Sequence, residues 1–390
     1  MSKIQISHKV RELKPSAIRR FFGLVDSMPN AISLSIGEPD FVTPWLIRES
    51  GIFSLEKGRT HYTANLGMIE LRKEIANYLK RRFGVNYDPI KEIMVTVGVS
   101  EGLDLAMRTI VNEGDNIIVP QPSFVAYPAT IFLAGGNPIP FPTYVENEFK
   151  IDIDEFERVI KENNAKAAVL GFPNNPTGAV MERYELEKIA DIAKRYGVTI
   201  ITDEIYAELV YGDHSPISFA AIPGVHDQTI LLGGFSKAYA MTGWRLGYVA
   251  APAYVIENMN KIHSYTCMCA STPAQTAAIE ALKNGDKEVE KMRSEYDRRR
   301  RYILSRFDKM DLPCFEPRGA FYLFPSIAHT GISSLEFAER LLMEYEVAVV
   351  PGSAFGECGE GYIRCCYATS MENIKIALER IETFLNSMKK

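Results

Sequence analysis

A chain of 390 residues, 46% of them hydrophobic, has length for about two or three domains and apolar material for a large buried core. Its 44 basic and 49 acidic residues give a net charge of −5 and are mixed along the chain. No basic block tracks a phosphate backbone, which argues against nucleic acid as a partner.

The first segment, MSKIQISHKVRELKPSAIRR, lacks an apolar stretch of signal-peptide length, and no apolar run is long enough to span a bilayer. The expectation is a globular cytoplasmic protein with no membrane partner. From residue 92 apolar runs alternate with amphipathic stretches. EIMVTVGVS (92–100) ends in a small-residue turn and leads into EGLDLAMRTIV, which has helical spacing. DNIIVPQPSF (115–124), AAVLGF (167–172), VTIITDEIY (198–206) and TILLGGFSK (229–237) are further short apolar runs, separated by helical or loop material. This alternation predicts an α/β fold: a mostly parallel, helix-flanked sheet in a large domain over 48–284.

Near residue 285 the pattern changes to a long charged helix, KEVEKMRSEYDRRRRYILSRF, whose arginine run is expected to be a solvated face. GAFYLFPSI, a helix around SSLEFAERLLMEYE, VAVVPGSAF, GYIRCCYA and a final amphipathic helix follow. They read as a smaller α+β domain over 285–390, joined in space by residues 1–47. Six cysteines, including Cys267-Met-Cys269 and the adjacent Cys365 and Cys366, fit neither a disulfide scaffold nor zinc spacing. They are expected to be free thiols, with no metal site.

Ligands of open α/β sheets sit beyond the carboxyl ends of the strands. Those ends carry Asp203 and Tyr206, Asn175 in a Pro-rich turn, Val99 and Ser100 at a helix start, and Ser236 and Lys237, with Arg245 eight residues further on. Lys237 and Arg245 stand in a stretch almost free of other charge and read as buried cations without an acidic partner. The set meets the needs of pyridoxal 5'-phosphate. That cofactor requires an amine for its aldehyde, a carboxylate for its ring nitrogen, donors for its phenolate, and cationic and amide donors for its phosphate.

SLSIGEPDF, HYTANLG, PNNPTG, TDEIY, FSKAYAMTGWRLGY, RGAFYLF and GYIRCCYA, in this order, resemble the class I/II aminotransferases of the fold-type I pyridoxal phosphate enzymes. The resemblance covers essentially the whole chain. It implies that Lys237 holds the cofactor and that Asp203 pairs with the pyridine nitrogen. Tyr206 and Asn175 would contact the phenolate oxygen, and Ser236, Arg245 and the amides of Val99 and Ser100 the phosphate. Phe124 would stack on the ring, and Tyr62 would reach the phosphate of a neighbouring subunit, which implies a homodimer. Arg364 would take the substrate α-carboxylate, helped by Gly37 and Asn175. One departure stands three residues before the lysine, where a phosphate-binding serine is common and this chain has Gly234.

Taken singly, these positions have ordinary uses: Asp203 as a helix cap, Asn175 as a turn residue, Tyr206, Phe124 and Tyr62 as packing aromatics, Arg364 as the partner of a distant core acid. Taken together, they imply ping-pong transamination, with Lys237, Asp203 and Tyr206 catalytic, an L-amino acid as donor and a 2-oxo acid such as 2-oxoglutarate as acceptor. A carbon–sulfur β-lyase uses the same lysine and aspartate and is the alternative. A non-enzymatic regulator would need a DNA-binding module for which no residues are spare. Some relatives specific for acidic substrates carry a base near Val99 and Ser100; here that turn is neutral. The donor is therefore expected to include aromatic or other neutral amino acids at least comparably to aspartate, with Arg19, Arg20, Phe21 and Phe22 as candidates for the substrate side of the pocket.

Overall fold

A computed structural model describes residues 4–13 and 28–388, so Arg19, Arg20, Phe21 and Phe22 lie outside the described residues. Its centre is a seven-stranded sheet. The strands are β2 (Ile93–Thr96), β3 (Asn116–Gln121), β4 (Asn137–Pro142), β5 (Ala167–Leu170), β6 (Thr199–Asp203), β7 (Thr229–Gly234) and β8 (Gly247–Ala250), in spatial order β2-β8-β7-β6-β5-β3-β4. All neighbours pair in parallel except β8, which runs antiparallel to β2 and β7. The strands β5 (AAVL) and β2 (IMVT) are buried at every residue, as a sheet covered on both faces requires.

Helices cover both faces. The helix α1 (Gly98–Ile110) follows β2, and α2 (Arg183–Tyr196) buries Leu186, Ile189, Ala190 and Ala193, one stripe at helical spacing. The backbone N–H of Glu182 donates to Glu185 at the start of α2, and Gly197, in the left-handed region at φ 66°, ends it.

A second core forms around the antiparallel strands β9 (Tyr322–Leu323), β11 (Val350–Pro351) and β12 (Ile363–Cys366), flanked by α3 (Asp286–Lys309) and α4 (Met371–Met388). Strand β1 (Ile32–Ser33) pairs in parallel with β10 (Val347–Ala348), which ties an early segment to this part of the chain. The arginine run of α3 departs from expectation. Arg298 and Arg301 are exposed, but Arg299 and Arg300 are buried at 5% and 4% exposure. Successive helical residues turn by about 100°, so four in a row cannot share one solvated face. Arg299 bonds Asp40 at 2.8 Å and Glu295 at 3.0 Å; Arg300 bonds Asp297 and Glu316, each at 2.8 Å. The six cysteines are free; Cys365 and Cys366 are buried and the others partly buried. No described helix is long and apolar enough to cross a membrane.

Candidate active site

The carboxyl ends of β2, β5, β6 and β7 and the amino end of β8 lie along one edge of the sheet, because β8 alone is reversed. Asp203 is the last residue of β6 and is buried. Its Oδ2 accepts from the Tyr127 hydroxyl at 2.9 Å and its Oδ1 from the Ile205 amide at 3.2 Å. The segment after it is a turn rather than a helix, so capping does not explain the residue. Burial pushes its carboxyl up to about 6, against the opposing pull of these two hydrogen bonds and of the Lys237 charge.

Lys237 lies in the turn after β7, and its Nζ donates to the Gly37 carbonyl at 2.6 Å. It sits 5.9 Å from the Tyr206 ring centroid and 5.7 Å from that of Phe321. Burial lowers its amine to about 8, so a share of it is unprotonated and nucleophilic near neutral pH. The hydroxyls of Tyr206 and Tyr322 are 2.6 Å apart, and burial raises both of their pKa values. A side chain at Gly37 would strike the Tyr322 hydroxyl, so only glycine lets the loop come this close.

Arg364 projects from β12 into the same group. Its Nη1 donates to Asn175 at 2.8 Å, its Nη2 to the Ser35 carbonyl at 2.5 Å, and its plane lies 4.5 Å from the Tyr322 centroid and 5.0 Å from that of Phe355. It is 3% exposed, its Nε is unbonded, and among the described residues no carboxylate pairs with it. A distant core acid among the described residues is therefore not its partner.

At the start of α1, Gly98 adopts φ 75°, and a side chain there would collide with the Arg245 guanidinium. The first-turn amides that follow, Val99 and Ser100, have no partner inside the helix. Glu101 secures the turn from within, accepting from the Val97 amide at 2.5 Å. Arg245, in the left-handed region at φ 52°, donates to the Thr242 carbonyl at 3.1 Å, its one hydrogen bond among the described residues, and is exposed, not buried as expected. The turn Thr242–Trp244 throws it across Gly98 toward solvent, so the desolvation argument holds for Lys237 alone. Ser236 is buried nearby, and Ser100 is exposed. The Gly234 departure has a local reason, since a Cβ there would stand 3.0 Å from both Val99 and Ile205. Phe124 is partly buried and meets Tyr127 edge-on, with centroids 5.7 Å apart.

The chain thus brings together Lys237, Gly37, Tyr206, Asn175 and Arg364 in one cluster, and Arg245 with Gly98 at a helix start. It leaves out Tyr62, which is 79% exposed with no side-chain hydrogen bond among the described residues. Sequence reading missed Tyr127 and Tyr322. Tyr322 stood in RGAFYLF, a segment already singled out, and Tyr127 lies one helical turn beyond Phe124.

These residues fit pyridoxal 5'-phosphate. A buried carboxylate held at about 6 has no bonded cation among the described residues, such as a protonated ring nitrogen would be. Unpartnered amides at a helix start beside an exposed guanidinium suit a phosphate.

Comparison with known proteins points the same way. A Bacillus subtilis protein, YugH, is 51% identical over 98% of both chains. The aspartate aminotransferase of Pyrococcus abyssi is 45% identical over 98% of this chain and 99% of its own. The crystal structure of an aromatic aminotransferase from Pyrococcus horikoshii, 44% identical, superposes with a TM-score of 0.90 over 95% of this chain and 99% of that one. The family model for aminotransferase class I and II matches residues 29–381, and the chain belongs to that family.

Proposed function

We propose that the chain is a pyridoxal 5'-phosphate-dependent transaminase that moves the amino group of an L-amino acid to a 2-oxo acid, 2-oxoglutarate being the expected acceptor, in two ping-pong half-reactions. Lys237, Asp203, Tyr206, Asn175, Ser236, Arg245, Phe124 and the Val99 and Ser100 amides would hold the cofactor. When bound, it supplies an aldehyde that condenses with amines and a cationic ring that draws electrons from the substrate α-carbon.

The remaining work is done by side chains of this chain. Asp203, anchored by Tyr127, would pair with the ring nitrogen and favour its protonated form. Arg364 clamps the substrate α-carboxylate through its two-pronged guanidinium, with Asn175 and the Gly37 loop closing the pocket. The Lys237 amine, lowered by burial, would take the proton from the substrate α-carbon and deliver it to the cofactor's C4′ carbon, acting as base and then as acid. Tyr206, whose own proton is held firmly by burial, would donate a hydrogen bond to the phenolate oxygen and favour its ionised form. Tyr62 would complete the site of a partner subunit in a homodimer, and the division into 1–47, 48–284 and 285–390 belongs to the same reading.

The observation that carries the proposal is Arg364: a buried guanidinium without an acid among the described residues, held beside the lysine that would do the chemistry. Relatives named for aspartate and for aromatic amino acids, together with the neutral Ser100, support a broad donor range. The test is a panel of amino acids, each followed by conversion of the cofactor to its amine form. Aromatic and neutral donors should convert at rates comparable to aspartate or better. A preference for aspartate above about a hundredfold would overturn the donor assignment. Release of pyruvate with ammonia or sulfide, without amine-form cofactor, would overturn transamination in favour of a β-lyase.

A further inference from the structure

Glu204 follows Asp203 in the chain and does none of the work described above. Its amide donates to the Leu232 carbonyl at 2.9 Å and so carries the ladder one residue past β6, and alternation turns its side chain away from that of Asp203. There it borders a cavity of about 350 Å³ between β5, β6, the start of α2 and the loop over 213–219. That size falls within the range of small-molecule sites. The walls combine apolar side chains, among them Leu170, Phe172, Met181, Leu186 and Ile217, with nearly as much polar surface.

Glu204 is 8% exposed, and its hydrogen bonds are lopsided. Oε1 accepts from the Thr202 hydroxyl at 3.0 Å, the Ser218 hydroxyl at 3.0 Å and the Phe219 amide at 2.9 Å. Among the described residues nothing donates to Oε2. The carboxylate also borders a void beside Tyr78 and Tyr248, but at about 10 Å³ that space holds at most one water. No lysine or arginine lines the large cavity among the described residues, and its acids Glu182, Asp213 and Glu204 face a single base, His214, already paired to Glu182 at 3.0 Å.

We propose that this cavity is a second binding site, separate from the transaminase pocket, for an organic cation: an ammonium group on an apolar alkyl or arylalkyl body. The ammonium meets the Glu204 carboxylate, which still has acceptor capacity to spare, and the apolar body fills the remaining space. An amino acid is a poorer occupant, because the cavity offers its carboxylate no free cation. Burial without a counter-ion holds the Glu204 carboxyl up to about 7, and a bound ammonium supplies the missing charge. The site does not depend on which reaction the other face performs.

N,N-dimethylphenethylamine is a suitable probe, since a tertiary amine cannot condense with the cofactor aldehyde. 3-Phenylpropan-1-ol is its uncharged counterpart. Titration of the full-length holoenzyme, followed by calorimetry and by saturation transfer in proton NMR, should show one site for the amine and binding of the alcohol weaker by about tenfold or more. Glu204→Gln, which keeps an acceptor for Thr202, Ser218 and Phe219 but removes the charge, should weaken the amine by a similar factor. Ile217→Trp, which fills the cavity from its rim and leaves the carboxylate untouched, should weaken both ligands, and it stands as the test if Glu204→Gln does not fold. Equal affinity of amine and alcohol, amine binding indifferent to Ile217→Trp, or no amine binding to the wild-type enzyme would each overturn the proposal.

Discussion

Asp203 and Glu204 are consecutive buried acids pushed up by the same cause, loss of water, to about 6 and about 7. Each has a folded-state value above its ordinary one of 3.8 or 4.5, so over that interval the folded chain holds protons that the unfolded chain has released. Their contribution to stability is complete below the ordinary values and is lost as pH rises through about 6 and 7. A cofactor-free enzyme should therefore gain stability when Asp203 can no longer ionise. Asp203→Asn retains an acceptor for Tyr127 and should be more stable than wild type at pH 8 by up to about 3 kcal/mol, with the gap closing below about pH 4. Thermal unfolding of both cofactor-free proteins across this range measures it; a gap that does not vary with pH would mean that the Asp203 charge is already matched. With cofactor bound the same substitution should slow α-proton transfer by orders of magnitude, because the charge that destabilises the empty site is the one the reaction uses.

At the scale of elements, α3 shows where sequence patterning misleads. Arg299 and Arg300 lie on the buried side, each tied to two acids, while Arg298 and Arg301 face solvent. Removing Arg300 strips out a buried side chain and its hydrogen bonds to Asp297, Glu316 and the Pro317 carbonyl, while the acids left behind reach water and Asp297 keeps Arg301. Arg300→Ala should cost about 1–3 kcal/mol and Arg301→Ala less than about 0.5 kcal/mol, read from their urea unfolding curves. Equal effects would show the run to be solvated after all. The strands β2, β5, β6 and β7 were legible because continuous β-branched and aliphatic runs end in turn residues. Strand β4, NPIPFP, was not, since its three prolines argue against a ladder; it lies at the sheet edge, where a missing N–H is tolerated.

Across the whole molecule, the site gathers residues from Gly37 to Arg364, and its visibility in the sequence followed chemistry rather than distance. Lys237, Asp203 and Arg364 stood out because charge in an apolar setting demands a partner. Tyr127 and Tyr322 did not: their bonds to Asp203 and Tyr206 span 76 and 116 residues, and a tyrosine in an apolar run resembles any packing aromatic. Tyr62 poses the remaining question, for it lies at 79% exposure on a chain whose other cofactor candidates are assembled without it. If it serves a partner subunit, a site is built from two chains, and defects in Lys237 and Tyr62 should complement each other. Lys237→Ala and Tyr62→Ala proteins would each have low activity as homodimers. In a mixed dimer one site carries both defects and the other carries neither. Unfolding and refolding the two together in equal amounts should therefore restore about one intact site in four, since half of the dimers are mixed. Activity of the mixture should rise well above the mean of the separate proteins, in proportion to the mixed dimer isolated by differential tagging. If Tyr62 serves its own chain, neither site of the mixed dimer is intact, and activity stays at that mean however much mixed dimer forms.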